Sequence, residues 1–424
     1  MNRPPVPPPP VDLLPPPVEL GDLLEPFARR GVDLGLERIR AALAEAGHPE
    51  RRFAAVQVAG TNGKGSICTM LHAILRAAGV RCGTYRSPHL VSWCERIQID
   101  DSWIAPGLLR ADLARWRPRA ARHGLTPFEL LTAVAFDRFA CEGVPLAVLE
   151  VGLGGRLDAT TAHPARRLVG FAAIGLDQRE HLGDPVAAIA REKAGVLAPG
   201  TLAFSGPQPS AAAAVLEAEA RRRGADLRWV EPLAPAREGG PSLGLPGDLQ
   251  RANAAVAVAL AEALANDGSS IDGGAILRGL AAARWPGRLE RRALQGRPLL
   301  LDGAHNPPAA EALRRELDAM APPPPQPRRW LIGIQRHKEG PAVLERLLAP
   351  PDRAAIVPLA DHPSWTAAEL GSHLPDLAER LHPVATAAEG LDWLRADGPL
   401  PVVTGSLHLL GAVLPLLDPP VVSG

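Results

Sequence analysis

The sequence predicts an α/β protein built on mostly parallel sheets, and three observations lead to this fold class. From residue 53 onwards, short apolar runs alternate with amphipathic stretches, which is typical of strand–helix–strand units. Apolar residues make up 46% of the 424-residue chain, enough to bury sizeable cores. The first apolar run leads straight into a glycine-rich turn and a helical stretch. The predicted strands span residues 53–59, 80–85, 145–151, 168–175, 299–302, 330–334, 354–359 and 401–404.

The order of these segments predicts two domains behind a short extension. Residues 1–20 are rich in proline and should form a flexible extension. They lack the basic region and apolar stretch of a secretion signal. A break rich in proline, glycine and arginine, ARWPGRLERR at 283–292, predicts the boundary between a domain of residues 21–286 and a smaller one of residues 287–424.

The charge balance gives no reason to expect a nucleic-acid or membrane partner. The chain has 46 Lys and Arg residues and 46 Asp and Glu residues. No uninterrupted apolar run reaches the roughly 18 residues that a transmembrane helix needs. The four cysteines show no CxxC pair and no metal-ligand spacing, so we expect reduced thiols in a cytoplasmic protein.

Lysine is unusually scarce in this chain. Only Lys64, Lys193 and Lys338 are lysines among the 46 basic residues, and the others are arginines. In a chain so biased towards arginine, a remaining lysine can mark a position that needs a primary amine. Chance survival is the alternative interpretation.

A candidate phosphate-binding loop follows the first predicted strand. The sequence GTNGKGS occupies residues 60–66, and an apolar helical face follows it. Backbone N–H groups and the positive end of a helix favour an anion there, and Lys64 can reach the outer phosphates. The general P-loop spacing is not matched, because Val58 replaces the first glycine and Gly65 separates Lys64 from Ser66. The alternative is an ordinary glycine-rich turn between a strand and a helix.

Two further residues point to the same chemistry. Glu150 ends an apolar strand, at the edge where open α/β sheets bind ligands, and a carboxylate is a preferred Mg²⁺ ligand. Lys193 lies near the end of a helix that Asp184-Pro185 should open and Gly195 should end. A cation that stabilises a helix C-terminus is the alternative role, although Arg191 would serve equally well.

These motifs resemble the folylpolyglutamate synthase/dihydrofolate synthase family of the Mur ligase superfamily. GTNGKGS is similar to the ATP loop of that superfamily, and the likeness continues in family order over about residues 33–411. It implies a P-loop Mur-ligase-like domain with a parallel-rich sheet and a smaller Rossmann-like C-terminal domain. The further motifs are DLGLERIR at 33–40, TYRSPHL at 84–90, TPFELLTA at 126–133, LEVGLGGRLDAT at 149–160, REKAG at 191–195, PGRLE at 286–290, LDGAHNP at 301–307 and VTGSLHLLG at 403–411.

The resemblance implies ATP and magnesium sites. Ser87, Glu150 and Gln178 occupy the positions of metal ligands, but the family normally has a histidine where this chain has Gln178. His181 is a weaker candidate for that place, so the second of two expected Mg²⁺ sites is left open. Lys193 matches a lysine that is carbamylated in the family. The residues that match ATP contacts are Thr61, Asn62, Gly63, Lys64, Gly65, Ser66, Asn253, Arg288 and Asp302.

The resemblance also implies the substrates. His305 and Ser406 match residues near the incoming L-glutamate, with His305 counted among the catalytic residues beside Lys64, Glu150 and Lys193; a structural turn histidine is the alternative for His305. Thr161 departs from the family, where an asparagine usually follows DAT. The positions that match dihydropteroate contacts are Thr126, Pro127, Phe128, Glu129, Leu157, Asp158 and Ala159, with a core role as the alternative for Phe128.

The implied reaction is ATP-dependent amide synthesis by a cytoplasmic monomer. A substrate carboxylate attacks the γ-phosphate of ATP, and the amine of L-glutamate then attacks the acyl phosphate. The enzyme would add glutamate to folates and to dihydropteroate, with ATP and Mg²⁺ as cofactors. Two alternatives stay open: a Mur-type amino-acid ligase of peptidoglycan synthesis, and a nucleotide-binding paralogue without ligase activity.

Overall fold

The computed structural model describes residues 14–28, 33–176, 185–320, 327–360, 362–395 and 400–417. The chain divides into two compact units. No helix in these described ranges is long and apolar enough to cross a membrane. The first unit contains the described residues of 1–175, 181–244 and 250–284, and the second contains those of 176–180, 245–249 and 285–424.

The first unit is built on an eight-stranded sheet. Its central strand, AAVQVA, is almost entirely buried because helices cover both faces of the sheet, as in other parallel sheets. The strand order is β4-β3-β2-β5-β1-β6-β7-β8, and neighbours are parallel except β2–β3 and β3–β4. The strands are β1 (Ala54–Ala59), β2 (Gly83–Tyr85), β3 (Ile97–Ile99), β4 (Ser102–Trp103), β5 (Leu146–Glu150), β6 (Leu168–Phe171), β7 (Leu202–Ser205) and β8 (Asp226–Trp229).

Nine helices lie along the described part of the chain that forms this sheet. Their termini follow local sequence signals: Gly63 with a positive φ of 100° precedes α3, and a Thr126–Glu129 capping box opens α5. They are α1 (Gly21–Ala28), α2 (Glu37–Glu45), α3 (Lys64–Ala77), α4 (Pro106–His123), α5 (Pro127–Cys141), α6 (Pro185–Ala194), α7 (Ser210–Arg223), α8 (Leu249–Asn266) and α9 (Gly273–Ala282).

The second unit has a six-stranded sheet with the order β13-β12-β11-β14-β10-β9, parallel except for β9–β10. Alternating strands and helices make it a Rossmann-like layer structure. Its described strands are β9 (Glu290–Leu294), β10 (Arg297–Leu301), β11 (Arg329–Ile332), β12 (Arg353–Ile356), β13 (Leu381–Pro383) and β14 (Val402–Thr404). Its described helices are α10 (Pro307–Met320), α11 (Gly340–Leu347), α12 (Ala367–His373), α13 (Ala387–Leu394) and α14 (Leu407–Val413).

The predicted α/β fold class is confirmed, and each predicted strand corresponds to an observed one. Strands β3, β4, β7, β8, β9 and β13 were not predicted. Most of them are short or polar and lie at or near sheet edges, where short and charged strands prevent unwanted pairing with other chains. The stretch 283–292, interpreted as a break, contains the start of β9.

The prediction of a flexible extension over 1–20 is wrong for residues 14–20. Leu20 is only 2% exposed and belongs to the core of the first unit. The Ser92 hydroxyl donates a 2.7 Å hydrogen bond to the Pro16 carbonyl. Proline content therefore does not show whether such a segment packs on the core. Residues 1–13 lie outside the described ranges.

Helix α9 packs directly on α3, the helix that follows the candidate phosphate loop. A Cβ at Gly279 would lie 2.5 Å from the backbone nitrogen of Ile74, so only glycine allows this close approach. This close contact fixes α9 against α3, the helix that begins at Lys64. At Gly273, in the first turn of the same helix, a Cβ would meet nothing within 4 Å.

We predict that Gly279→Ala lowers the free energy of unfolding by about 2 kcal/mol, because the added methyl forces two helix backbones apart. The matched control Gly273→Ala should leave it unchanged or raise it by up to about 1 kcal/mol. Urea unfolding of both variants measures the difference. Equal shifts in the two variants would contradict the proposed helix contact.

Candidate active site

The candidate phosphate loop lies between β1 and α3, as predicted. The backbone N–H groups of Thr61 and Asn62 donate to the Ala173 carbonyl, at 2.9 and 3.1 Å, and so join the loop to the chain after β6. A Cβ at Gly63 would overlap the side-chain oxygen of Asn253. The loop is therefore held on one side by the sheet and on the other by α8, and Asn253 lies against it.

Lys64 and Ser66 occupy the first turn of α3. The Lys64 Nζ donates to the carbonyls of Gly60 and Thr61, both at 3.1 Å, so the ammonium group lies over the loop. Ser66 is 1% exposed, and its hydroxyl has no hydrogen-bond partner in the described part of the chain. Leaving a buried hydroxyl unsatisfied costs about 1–3 kcal/mol. This orphaned group beside Lys64 fits a phosphate or a phosphate-bound metal ion.

Glu150 lies beside this loop because its strand pairs with β1. The pairing sets Val58 opposite Glu150, one residue from the end of β1. Glu150 is 5% exposed and accepts a 3.1 Å hydrogen bond from the Ser87 backbone N–H. Within the described ranges no three His, Cys, Asp or Glu residues form a metal-binding cluster. The predicted Gln178 and its alternative His181 lie outside those ranges.

Lys193 is held against the loop that follows Glu150. Helix α6 begins at Pro185 and ends at Ala194, and Lys193 is 8% exposed. A Cβ at Gly155 would lie 2.9 Å from the Lys193 carbonyl, and one at Gly195 would overlap Arg156. The two glycines therefore let the two backbones touch. They place residues 193–196, the lysine turn, against the loop that follows Glu150, the Glu150 loop.

A cavity of about 310 Å³ collects most of the predicted substrate residues. The cavity reaches Ser87, whose backbone N–H donates to Glu150. It therefore borders the residues beside the phosphate loop in the first unit. Pro127 is not among its lining residues. The cavity is lined by Asp33, Leu34, Gly35, Ser87, Pro88, Arg96, Thr126, Phe128, Glu129, Gly152, Leu153, Leu157, Asp158 and Ala159.

Phe128 presents its ring to this cavity from the first turn of α5. The ring centroid lies 6.0 Å from that of Tyr85, which is fully buried behind it. A Cβ at Gly152 would overlap the Phe128 ring. The glycine after Glu150 therefore makes room for an aromatic wall, and a flat apolar ligand would fit against it.

Two predicted polar contacts, Asp158 and Glu129, also hold the cavity walls in place. The Asp158 carboxylate accepts from the backbone N–H groups of Gly152, Leu153 and Thr160 at 2.9–3.0 Å. Burial raises the pKa of Asp158, and these hydrogen bonds act in the opposite direction. Glu129 accepts from the Thr126 N–H at 2.8 Å and from Arg38 Nε at 3.2 Å.

The sequence does not predict Arg96 as a residue of the cavity. Its side chain lines the cavity, donates from Nε to His89 Nδ1 at 2.9 Å and lies 4.4 Å above the Trp93 ring. Burial lowers the pKa of its guanidinium. Nothing in the sequence distinguishes this arginine, since arginine is the default cation of the chain. Asp33, Leu34 and Gly35 were recognised as part of a motif but not as cavity residues.

In the second unit, Asp302 and Arg288 lie together after β10 and before β9. Asp302 accepts from the Leu289 and Ala304 backbone N–H groups at 3.0 and 2.9 Å. Burial raises the pKa of Asp302, while the positive charge of Arg288 lowers it. A Cβ at Gly303 would overlap the Arg288 guanidinium, so the glycine allows the two segments to meet.

His305 and Ser406 follow neighbouring parallel strands of the second sheet, β10 and β14. His305 Nδ1 lies 2.8 Å from the Gly303 carbonyl, so in the neutral ring Nδ1 carries the proton. Ser406 is 3% exposed and caps α14 by accepting the His408 N–H at 3.0 Å. Each side chain thus has a structural contact that also fixes its direction.

The two α/β sheets and the phosphate loop between β1 and α3 define a Mur-ligase-like α/β protein. A family model described as "Dihydrofolate synthetase, C-terminal domain" matches residues 288–416. The dihydrofolate synthase/folylpolyglutamate synthase of Escherichia coli K12 is 33% identical over 409 residues, which cover 93% of this chain and 94% of that protein. The chain belongs to the folylpolyglutamate synthase/dihydrofolate synthase family.

Solved structures agree with this assignment. E. coli FolC in complex with DHPP and ADP has a TM-score of 0.82 at 30% identity, covering 96% of this chain and 98% of that one. A bifunctional synthase with Mn, AMPPNP and L-glutamate bound has a TM-score of 0.81 at 29% identity, covering 96% and 98%. The match to an Arabidopsis thaliana folylpolyglutamate synthase is 38% identical but spans 61% of this chain and only about half (49%) of that protein.

We predict that Asp158→Asn lowers the free energy of unfolding by about 2 kcal/mol, because an amide NH₂ would face backbone N–H donors. The matched control is Asp226→Asn on the exposed strand β8, which should change it by less than about 0.5 kcal/mol. Urea unfolding at neutral pH measures both values. An Asp158→Asn variant as stable as the control would show that these hydrogen bonds do not hold the turn.

Proposed function

We propose that this protein is an ATP-dependent amide ligase that adds L-glutamate to folates and to dihydropteroate. One observation carries the proposal: the cavity with the aromatic wall borders Ser87, whose N–H bonds Glu150 beside the phosphate loop. A carboxylate that protrudes from an aromatic ligand in this cavity would point towards that loop. Family membership supports the same reaction.

The proposed nucleotide contacts fit what surrounds them. Lys64 and the Ser66 hydroxyl would contact the β- and γ-phosphates, and the N–H groups at the start of α3 would add positive potential. The residues of the loop, Thr61, Asn62, Gly63 and Gly65, allow the backbone to approach the phosphates. Asn253, Arg288 and Asp302 are the proposed contacts to the rest of the nucleotide.

Ser87 and Glu150 are the proposed Mg²⁺ ligands of the described chain, with Gln178 in the place of a third. A buried carboxylate next to a phosphate loop suits this ion, which usually takes few protein ligands beside phosphate oxygens. When bound, Mg²⁺ neutralises charge on the phosphoryl group being transferred. We propose that Lys193, a buried primary amine held against the Glu150 loop, carries a carbamate that supports a second ion.

Division of labour between the units completes the proposal. Residues 21–286 hold the phosphates of ATP and the acceptor carboxylate. Residues 287–424 supply Arg288 and Asp302 to the nucleotide and His305 and Ser406 to L-glutamate. The contact of His305 Nδ1 with the Gly303 carbonyl fixes the direction of the ring that is proposed to lie near L-glutamate. The protein is proposed to act as a cytoplasmic monomer.

Incubation of the protein with ATP, Mg²⁺ and L-glutamate tests the function directly. We predict phosphate release only when dihydropteroate or tetrahydrofolate is also present, with a product one glutamyl residue heavier by mass spectrometry. Phosphate release with a muramoyl-peptide acceptor instead would identify a Mur-type ligase. ATP binding without turnover on any acceptor would identify a nucleotide-binding paralogue.

We predict that Lys193→Arg lowers kcat by roughly 100-fold or more, because a guanidinium forms no carbamate and the site would lose a charged ligand. Circular dichroism and ADP affinity should be unchanged. The matched control Lys338→Arg should keep activity within about twofold, because this half-buried lysine has no proposed role. Full activity of Lys193→Arg would refute the carbamate.

A further inference from the structure

Gln57 is a polar side chain in a strand of the first sheet that is buried at five of its six residues. It lies in the middle of β1 between Val56 and Val58, and all three residues are 0% exposed. Its Nε2 donates to the hydroxyls of Thr160 and Thr161 at 2.8 and 2.9 Å. An amide buried in an apolar strand is tolerated only when its hydrogen bonds are made.

One branch of hydrogen bonds runs from Gln57 to the loop after Glu150. The Thr161 hydroxyl accepts from Gln57 and donates to the Gly155 carbonyl at 2.8 Å. Gly155 is the residue whose missing side chain lets the Lys193 backbone approach. This branch therefore ends at the contact between the Glu150 loop and the lysine turn.

The other branch runs to the far side of the lysine turn. Arg166 Nη1 donates to Gln57 Oε1 at 2.9 Å and to the Val196 carbonyl at 3.0 Å. The Val196 N–H in turn donates to the Lys193 carbonyl at 3.2 Å. A single amide thus connects β1 to both sides of the segment that carries Lys193.

We propose that Gln57 is a positioning residue of the ligase site, whose amide fixes the Lys193 turn and the Glu150 loop relative to the phosphate-loop strand. The inference rests on the proposed function for its catalytic consequence. Gln57 is not among the residues that line the cavity, so it acts through Thr161 and Arg166. A shift of about 1 Å in such groups is enough to cost about 100-fold in rate.

The resemblance places an asparagine at position 161, where this chain has threonine. In this structure the amide at that contact comes from the strand, and the hydroxyl comes from the loop. The exchange Gln57→Thr with Thr161→Asn moves the amide to the loop and the hydroxyl to the strand. It should restore the branch that runs through residue 161 to Gly155, while the bond from Arg166 to Gln57 Oε1 stays lost.

The test compares Gln57→Met, Gln57→Thr, Thr161→Asn and the double exchange. Gln98→Met on β3 of the same sheet, half-buried and outside the site, is the control. We expect Gln57→Met to lower kcat by roughly 10- to 100-fold while the ADP dissociation constant stays within about threefold. Amide hydrogen exchange should accelerate at Arg156, Gly195 and Val196, but not in α3. The double exchange should recover at least tenfold over Gln57→Thr.

Three outcomes would overturn the inference. The first is a Gln57→Met enzyme with the kcat of the Gln98→Met control. The second is loss of ADP binding together with activity, which would indicate general collapse of β1. The third is a double exchange whose kcat is no higher than that of its single variants. If Gln57→Met does not fold, this comparison alone tests the inference. A wild-type protein without ligation would refute the proposed function, whereas hydrogen exchange would still report on Gln57.

Discussion

The parallel pairing of β1 with β5 on one side and β6 on the other is the constraint on which the site depends. The registers set Val58 opposite Glu150 and Ala59 opposite Phe171, so three strands end at one edge. In the strand order, β2 and β5 lie on one side of β1, and the chain later continues to β6 on its other side. Ligands of open α/β sheets bind at such a switch point. The phosphate loop, the Glu150 carboxylate and the anchor at Ala173 meet there because of this pairing.

Glycines turn this convergence into close contact. Gly63 brings Asn253 onto the loop, Gly152 admits the Phe128 ring, and Gly155 with Gly195 brings the lysine turn against the Glu150 loop. A Cβ at any of these positions would collide with its neighbour. These glycines thus allow side chains and backbones from separate segments of the chain to come into direct contact.

Sequence reasoning succeeded where the signal was local and failed where it was tertiary. Strands β1, β5 and β6 follow from apolar runs in the sequence. The position of Lys193 near the end of α6 follows from a proline at the start of the helix and a glycine after its end. Edge strands such as β8 carry little apolar pattern. Arg96 looked like any other arginine, and the role of Gln57 depends on partners about a hundred residues away. Asp158 was expected to face the substrate, but it also satisfies three backbone donors.

We infer that a substrate carboxylate bound beside Glu150 is phosphorylated before it meets glutamate. Dihydropteroate labelled with ¹⁸O in its carboxylate tests this most directly, with the released phosphate analysed by mass spectrometry. Formation of an acyl phosphate predicts one ¹⁸O atom in the phosphate for each amide formed, because the bridging oxygen leaves with phosphorus. Amide formation with unlabelled phosphate would contradict the account.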